Sequence, residues 1–155
     1  MMSAIPAITG GSLPTDPDAP VLQSAHALLF LDGRYILQLR DDKPNIAAPG
    51  QWSLFGGLIH DGETPHQTII REILEELSIQ PLQYDFLWHI DYSAEYEKEM
   101  IRSWFFEADV SMIWSSHILH EGKATGIFDH KETMNLAMPW VMRETLRRYE
   151  QHRVY

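Results

Sequence analysis

The clearest hydrophobic pattern in the chain lies in residues 64–77 and predicts an α-helix. Its apolar residues recur at helical spacing and form one stripe: Ile69, Ile70, Ile73, Leu74 and Leu77. Thr64 suits the N-cap, Pro65 suits the first helical position, and Gln67 occupies the partner position of a capping box. The pattern therefore predicts a helix that begins after Thr64 and buries one face.

Shorter apolar runs on both sides of this helix predict strands. Residues 21–31 and 34–40 flank Asp32-Gly33, a dipeptide typical of a two-residue hairpin turn. Residues 52–55 predict a short strand that runs into a pair of glycines. The same reading predicts these later elements: antiparallel strands at residues 84–92 and 100–110, a loop at 111–122, a short strand at 125–128, and a helix at 139–151.

The first twenty residues lack any such pattern. They are rich in turn-forming residues: Pro6, Gly10, Gly11, Pro14, Pro17 and Pro20. We interpret residues 1–20 as a flexible N-terminal arm. Residues 21–155 are expected to form one domain, since a chain of 155 residues is long enough for a single core.

Charge and cysteine content narrow the class of protein. The net charge is −10, from 22 acidic and 12 basic side chains, which argues against nucleic acid or an anionic membrane as the main partner. The chain has no cysteine, so disulfides and thiol catalysis are excluded. No apolar run approaches the roughly 20 residues of a membrane helix. We expect a cytoplasmic protein.

A cluster of charged residues lies largely off the apolar stripe of the predicted helix: Arg71, Glu72, Glu75 and Glu76. Three carboxylates at helical spacing share one face and repel one another by about 0.2–0.5 kcal/mol per pair. A hard divalent cation such as Mg²⁺ turns that repulsion into binding. The cluster therefore indicates phosphate chemistry on a metal, with an ordinary solvated helix face as the alternative.

Two glycines precede the helix and complete the candidate site. Gly56 and Gly57 permit close backbone approach, which frees a carbonyl to point at a metal. Arg71 lies four residues before Glu75 and can hold its carboxylate in place. The other two carboxylates of the cluster are left to face the cation.

These residues, together with Glu63, resemble the Nudix box. The 23 residues from position 57 to 79 read GLIHDGETPHQTIIREILEELSI, and every fixed charged position of that pattern is filled. Outside these 23 residues a weaker resemblance extends over about residues 21–150. It implies an α/β fold, namely a Nudix-type α/β/α sandwich with a mixed central sheet.

The chain departs from the family pattern at Ser78, where the Nudix box has glycine. That glycine ends the helix in a left-handed conformation. Serine in the same geometry costs about 1 kcal/mol, unless the helix end shifts instead.

The resemblance implies an activity and a cofactor. A MutT-like pyrophosphohydrolase cleaves a diphosphate linkage in a nucleoside diphosphate derivative or a nucleoside triphosphate, by water attack on phosphorus, with Mg²⁺ or Mn²⁺. The alternative is a binding module of the same fold that senses a nucleotide without cleaving it. The expected partner is a small-molecule nucleotide, and a homodimer is compatible with the sequence.

The resemblance also implies residue roles within the box. It assigns metal binding and catalysis to the carboxylates, with one backbone carbonyl as a further ligand: Gly56, Glu72, Glu75 and Glu76. Arg71 is expected to orient Glu75. Gly57 and Glu63 are structural in the motif, and Glu63 braces the loop against the helix.

Further candidates lie outside the box. In His120-Glu121-Gly122, Glu121 resembles a loop glutamate of MutT-like members and is a candidate metal ligand or general base, with a surface glutamate as the alternative. Tyr96 lies 17 residues after Ile79, a spacing that resembles the dinucleoside polyphosphate subgroup.

Two residues near the glycines are candidates for substrate binding. Arg40 stands at a strand end and is either a phosphate contact or a surface salt bridge. Trp52 is a candidate for stacking on a base, and a core position is the alternative.

Overall fold

A mixed sheet of seven strands with three helices makes up the described part of the chain, residues 16–94 and 98–153 of a computed structural model. The elements in chain order are β1 (Leu22–Leu31), β2 (Arg34–Leu39), β3 (Trp52–Ser53), β4 (Phe55–Leu58), α1 (Pro65–Leu77), β5 (Asp85–Ala94), β6 (Glu99–Asp109), β7 (Ala124–Phe128), α2 (His130–Thr133) and α3 (Trp140–Arg153). Tyr96 and most of the predicted arm lie outside the described residues.

The central sheet has the order β3-β2-β1-β6-β5, while β4 pairs with β1 and β7 pairs with β2. Strand β1 runs parallel to β6, and the other pairs are antiparallel. Each face of the sheet carries its own core. Helix α1 packs its buried residues into one of them, and α3 packs into the other. The predicted α/β/α sandwich with a mixed sheet is confirmed.

The hairpin between β1 and β2 has the predicted turn. Asp32 has φ 50° and Gly33 has φ 80°. A two-residue turn with positive φ at both positions matches the twist of the flanking strands. The Asp32-Gly33 turn therefore lets β1 and β2, which are consecutive in the chain, pair as an antiparallel hairpin.

Helix α1 begins and ends as its local sequence indicates. The Thr64 hydroxyl accepts the Gln67 N–H at 3.1 Å, and the Gln67 side chain accepts the Thr64 N–H at 2.9 Å. At the other end Ser78 takes the left-handed conformation with φ 54°, and its N–H donates to the Leu74 carbonyl at 2.9 Å. The serine therefore keeps the geometry of the glycine it replaces.

The burial of α1 differs from the predicted stripe most clearly at Leu74 and Glu76, and Thr68 is buried as well. Leu74 is 48% exposed, whereas Glu76 is only 1% exposed. Glu76 lies three residues after the fully buried Ile73 and thus shares its face. The alternative of an ordinary solvated helix face is therefore wrong for Glu76.

Three short elements were not predicted. Strand β4 includes Gly56 and Gly57, which sequence reasoning placed after the end of a strand at residues 52–55. Residues 114–116 form a turn of 3-10 helix, and α2 spans four residues. Helix α2 has a capping box between Asp129 and Glu132, a local signal that sequence reasoning missed. No helix within the described ranges is long and apolar enough to cross a membrane.

Candidate active site

An ion pair between Glu63 and Arg71 ties the loop after β4 to helix α1. Arg71 Nε donates to Glu63 Oε2 at 2.7 Å, and Arg71 Nη2 donates to Glu63 Oε1 at 2.9 Å. Glu63 also accepts the His60 N–H at 2.9 Å and the Thr68 hydroxyl at 3.0 Å. The Arg71 guanidinium is the main cause that lowers the pKa of Glu63 to about 2. The structure thus places Glu63 between loop and helix.

The remaining donors of Arg71 reach the carboxylate cluster. Nη1 lies 3.1 Å from Glu72 Oε1 and 3.3 Å from Glu75 Oε2. The Glu72 side chain is 13% exposed and that of Glu75 is 53% exposed. Arg71 therefore contacts Glu75, as sequence reasoning assumed, but it holds Glu72 and Glu63 more closely.

The two glycines lie directly against the helix and the neighbouring strand. A Cβ on Gly57 would stand 2.2 Å from Glu72 Oε1, and a Cβ on Gly56 would stand 2.1 Å from the Ala25 carbonyl oxygen. Gly56 also has φ 153°, which side chains rarely adopt. Only glycine fits at Gly56, whereas a side chain at Gly57 would have to displace the Glu72 carboxylate, so the two glycines let the backbone approach the carboxylates of α1.

Glu76 is buried without a full set of partners. Its Oε2 atom has no hydrogen-bond partner among the described residues. Burial, followed by the charges of Glu72 and Glu121, raises the pKa of Glu76 to about 9, although the Gly56 N–H opposes this. An orphaned buried carboxylate oxygen is costly. A bound cation would give this oxygen the partner that it lacks.

Glu121 is brought to this cluster by backbone hydrogen bonds to the end of α1. The His120 N–H donates to the Glu76 carbonyl at 2.9 Å, and the Ile118 N–H donates to the Leu77 carbonyl at 2.9 Å. The Glu121 side chain is exposed, yet its charge raises the pKa of both Glu72 and Glu76. The loop glutamate therefore stands beside the carboxylates of the helix.

The donor set fits a hard divalent cation in its chemistry. All of the candidate ligands are oxygens, and like charges gather around the orphaned Glu76 oxygen. Within residues 16–94 and 98–153, however, no three His, Asp or Glu side chains already converge at ligating distance. Mg²⁺ keeps several waters and commonly takes only one or two carboxylates, so a cluster of three side chains is not required.

A cavity of about 430 Å³ opens beside the two glycines. Arg40 and Trp140 line it, and Arg40 Nε donates to the Ala47 carbonyl at 2.7 Å. Arg40 forms no ion pair among those found in the described residues, and its positive charge lowers the pKa of Glu76. The described residues therefore do not support the alternative of a surface salt bridge for Arg40. The positive charge of Arg40 instead lies at the cavity, near Glu76.

Trp52 does not line this cavity. Its ring packs edge-on against Phe128 with centroids 5.0 Å apart, at the margin of the core beneath α3. Trp140, which is 63% exposed, is the tryptophan in the cavity wall. Sequence reasoning missed Trp140. The residue begins the last helix next to Pro139, and the only feature that marks it is an aromatic side chain outside the buried stripe of that helix.

A chain of hydrogen bonds connects three polar side chains of the cavity wall through Ser103, which lies behind them and does not line the cavity. His26 Nε2 lies 3.0 Å from Ser24 Oγ, which lies 2.6 Å from Ser103 Oγ, which lies 3.0 Å from the Tyr92 hydroxyl. Burial, followed by the charge of Arg40, lowers the pKa of His26 to about 4. The imidazole is therefore neutral at pH 7, and this wall offers hydrogen bonds without a fixed charge.

Comparison with known proteins agrees with this architecture of a mixed sheet, a strand with two glycines and an acidic helix. The model of the NUDIX domain matches residues 21–153. The chain therefore belongs to the Nudix family, and the resemblance noted in its sequence is confirmed.

Solved structures show the same fold at low identity. The MutT protein from Methanosarcina mazei Go1 is 19% identical, with a TM-score of 0.74 over 89% of this chain and 99% of that one. The NUDIX domain of Shewanella oneidensis NrtR, complexed with ADP-ribose, is 16% identical, with a TM-score of 0.71 over 97% and 99%. A MutT NUDIX hydrolase from Burkholderia pseudomallei is 23% identical, with a TM-score of 0.63 over 81% and 95%.

Proposed function

We propose that this protein is a Nudix pyrophosphohydrolase that cleaves a diphosphate linkage in a nucleoside diphosphate derivative or a nucleoside triphosphate. Water attacks one phosphorus, the bond from that phosphorus to the bridging oxygen breaks, and the proton of the water passes to a base. The observation that carries the proposal is the buried, partly unpartnered Glu76, at a fixed position of the family motif and beside two other carboxylates.

Mg²⁺ or Mn²⁺, when bound, would neutralise charge that develops on the phosphoryl oxygens. Glu72, Glu75 and Glu76 are the side chains proposed to hold it, together with the Gly56 carbonyl. Arg71 keeps Glu72 and Glu75 oriented through the contacts of its Nη1 atom. Glu121 is proposed as a further ligand or as the base that accepts the proton of water.

The cavity beside the glycines is the proposed substrate site. Its volume of about 430 Å³ falls within the range usual for small-molecule pockets. Trp140 offers an aromatic face for a base, and Arg40 offers a positive charge for phosphate. We place the protein in the cytoplasm with a small nucleotide as its partner, in keeping with its net charge of −10.

A panel of nucleotides tests the proposal. Wild type is incubated with Mg²⁺ and nucleoside triphosphates, dinucleoside polyphosphates and nucleotide sugars, and the products are separated by chromatography. Reaction in ¹⁸O-labelled water then shows which phosphorus is attacked, because the label remains on that product. We expect hydrolysis of at least one diphosphate, and no turnover on any of them would refute the proposal.

A nucleotide-binding module without hydrolysis is the second candidate. One observation favours it: the similar NrtR domain is complexed with ADP-ribose. Calorimetric titration with the same panel distinguishes the two functions. Tight binding of a nucleotide that remains intact after prolonged incubation with Mg²⁺ would establish the binding module.

A further inference from the structure

Ser78 and His120 join the end of helix α1 to the segment that carries Glu121. Ser78 Oγ lies 2.6 Å from His120 Nε2, across 42 residues of sequence. His120 directly precedes Glu121, and Ser78 follows the last residue of the helix that carries Glu72 and Glu76. The contact therefore connects two parts of the proposed active site.

The backbone conformation at Ser78 would favour glycine. Ser78 has φ 54° and ψ 33°, which is the left-handed region where a side chain is strained. The helix cap itself uses only the Ser78 N–H, which donates to the Leu74 carbonyl. A side chain is therefore not needed to end the helix, and the hydroxyl is available for the bond to His120.

Backbone contacts already hold the loop near the helix, and the side-chain bond adds orientation. The His120 N–H donates to the Glu76 carbonyl at 2.9 Å. The bond from the His120 ring to Ser78, between two exposed side chains, adds a second contact directly before Glu121. On the other side Gly122 has φ 84°, and a Cβ there would lie 2.9 Å from the Leu39 carbonyl oxygen. Glu121 is thus constrained from both neighbours.

We propose that Ser78 and His120 are positioning residues that hold Glu121 beside the carboxylates of α1 for turnover. We call this hydrogen-bonded pair the Ser78–His120 latch. Neither residue belongs to the lining of the cavity, so the latch acts on the reacting end of the site and not on substrate binding. The inference rests on the proposed hydrolytic function.

The substitution Ser78→Gly separates this role from a purely structural one. It relieves the strain of the left-handed conformation, but it also removes the hydrogen bond to His120, which is worth about the same, so the unfolding temperature stays within about 2 °C of wild type. At the same time kcat falls by about 10-fold, the loss typical of residues that orient active-site groups, while KM stays within about twofold. Turnover therefore falls without a matching loss of stability, which a purely structural role would not produce.

A double-mutant cycle identifies the latch as the cause. His120→Ala lowers kcat by a similar factor, and Ser78→Gly combined with His120→Ala lowers it no further, because the same bond is already lost. Ser116→Ala is the matched control. It removes an exposed hydroxyl that donates to the Ile113 carbonyl in the preceding turn, and kcat is unchanged.

The latch is overturned if Ser78→Gly keeps the kcat of wild type, or if the two substitutions lower kcat additively. Hydrogen exchange of residues 117–123 provides a readout without turnover: the amides exchange faster in Ser78→Gly if the latch orders this segment. Wild type that hydrolyses nothing refutes the proposed function. In that case faster exchange still upholds the latch as an ordering contact, and unchanged exchange overturns it.

Discussion

Replacing Glu63 with glutamine is expected to destabilise the protein at neutral pH and to have much less effect in acid. Glu63 accepts hydrogen bonds from both Arg71 donors, from the His60 N–H and from the Thr68 hydroxyl. Glutamine keeps the shape but loses the charge, and it presents an NH₂ group to one of these donors. The perturbation is therefore confined to the brace between loop and helix.

The size of the effect follows from the pKa of Glu63. Its value is about 2 in the folded protein, against 4.5 for the free side chain. At about 1.4 kcal/mol per tenfold change in proton affinity, the difference corresponds to about 3 kcal/mol. The Glu63 side chain is 20% exposed, and solvent screening reduces our expectation to about 2 kcal/mol.

The pH dependence has a defined sign. Because the folded pKa is depressed, the stabilisation is fully present above the unfolded pKa of about 4.5. It is lost as pH falls through the folded value of about 2. At pH 3 less than half of it should remain.

Urea denaturation of wild type and Glu63→Gln at pH 7 and pH 3 measures both quantities. At pH 7 the loss of about 2 kcal/mol should also lower the unfolding temperature by about 4–8 °C. Glu144→Gln is the matched control. The pKa of Glu144 is likewise lowered to about 2, first by Arg147 and then by Arg148; Glu144 itself is 15% exposed, but these arginines are 54% and 39% exposed, against 22% for Arg71. We expect a much smaller loss for it.

Two results would refute this reasoning. One is a Glu63→Gln deficit that stays the same at pH 3 as at pH 7. The other is a loss in Glu144→Gln equal to that in Glu63→Gln, which would mean that the burial of Arg71 and the extra hydrogen bonds to Glu63 add nothing.

Three further predictions concern the active site. In Gly57→Ala the new methyl group displaces Glu72, whose Oε1 lies 2.2 Å from the Cβ position, so kcat falls by about 10–100-fold; steady-state kinetics with unchanged kcat would contradict this. Trp140→Ala removes the aromatic wall of the cavity and raises KM about 10-fold with little change in kcat or stability; an unchanged KM would exclude Trp140 from binding. Scanning calorimetry should show that Mg²⁺ raises the unfolding temperature of wild type more than that of Glu76→Gln, and equal shifts would place the metal elsewhere.

Short sequence motifs correctly predicted the elements that are stabilised by contacts between residues close together in the chain. The cap residues of α1 and the Asp32-Gly33 turn act within a few positions, and the structure has both. The parallel pairing of β1 with β6 was not predictable in this way, because its partners are far apart in sequence. That register places Ser24 opposite Ser103 and so creates the hydrogen-bonded wall of the cavity.

In the candidate site, too, features that depend on nearby residues were predictable and features that depend on distant residues were not. The helical spacing of the glutamates was readable, but the burial of Glu76 was not, since it depends on which face α1 turns to the sheet. Arg71 was expected to hold Glu75 one turn away. Its shortest contact is with Glu63, because the loop after β4 folds back over the helix. The contact of Ser78 with His120 likewise depends on a distant segment.

Metal-assisted hydrolysis by the carboxylates of α1 is tested most directly by kcat of Glu76→Gln beside wild type on the best diphosphate substrate at saturating Mg²⁺. Glu132→Gln serves as the control, because it is exposed and glutamine also completes the capping box of α2. We expect kcat of Glu76→Gln to fall by at least about 100-fold, more than for residues that only orient a site, while Glu132→Gln keeps the rate of wild type. A Glu76→Gln protein that turns over as fast as wild type would contradict the proposed role of this buried carboxylate.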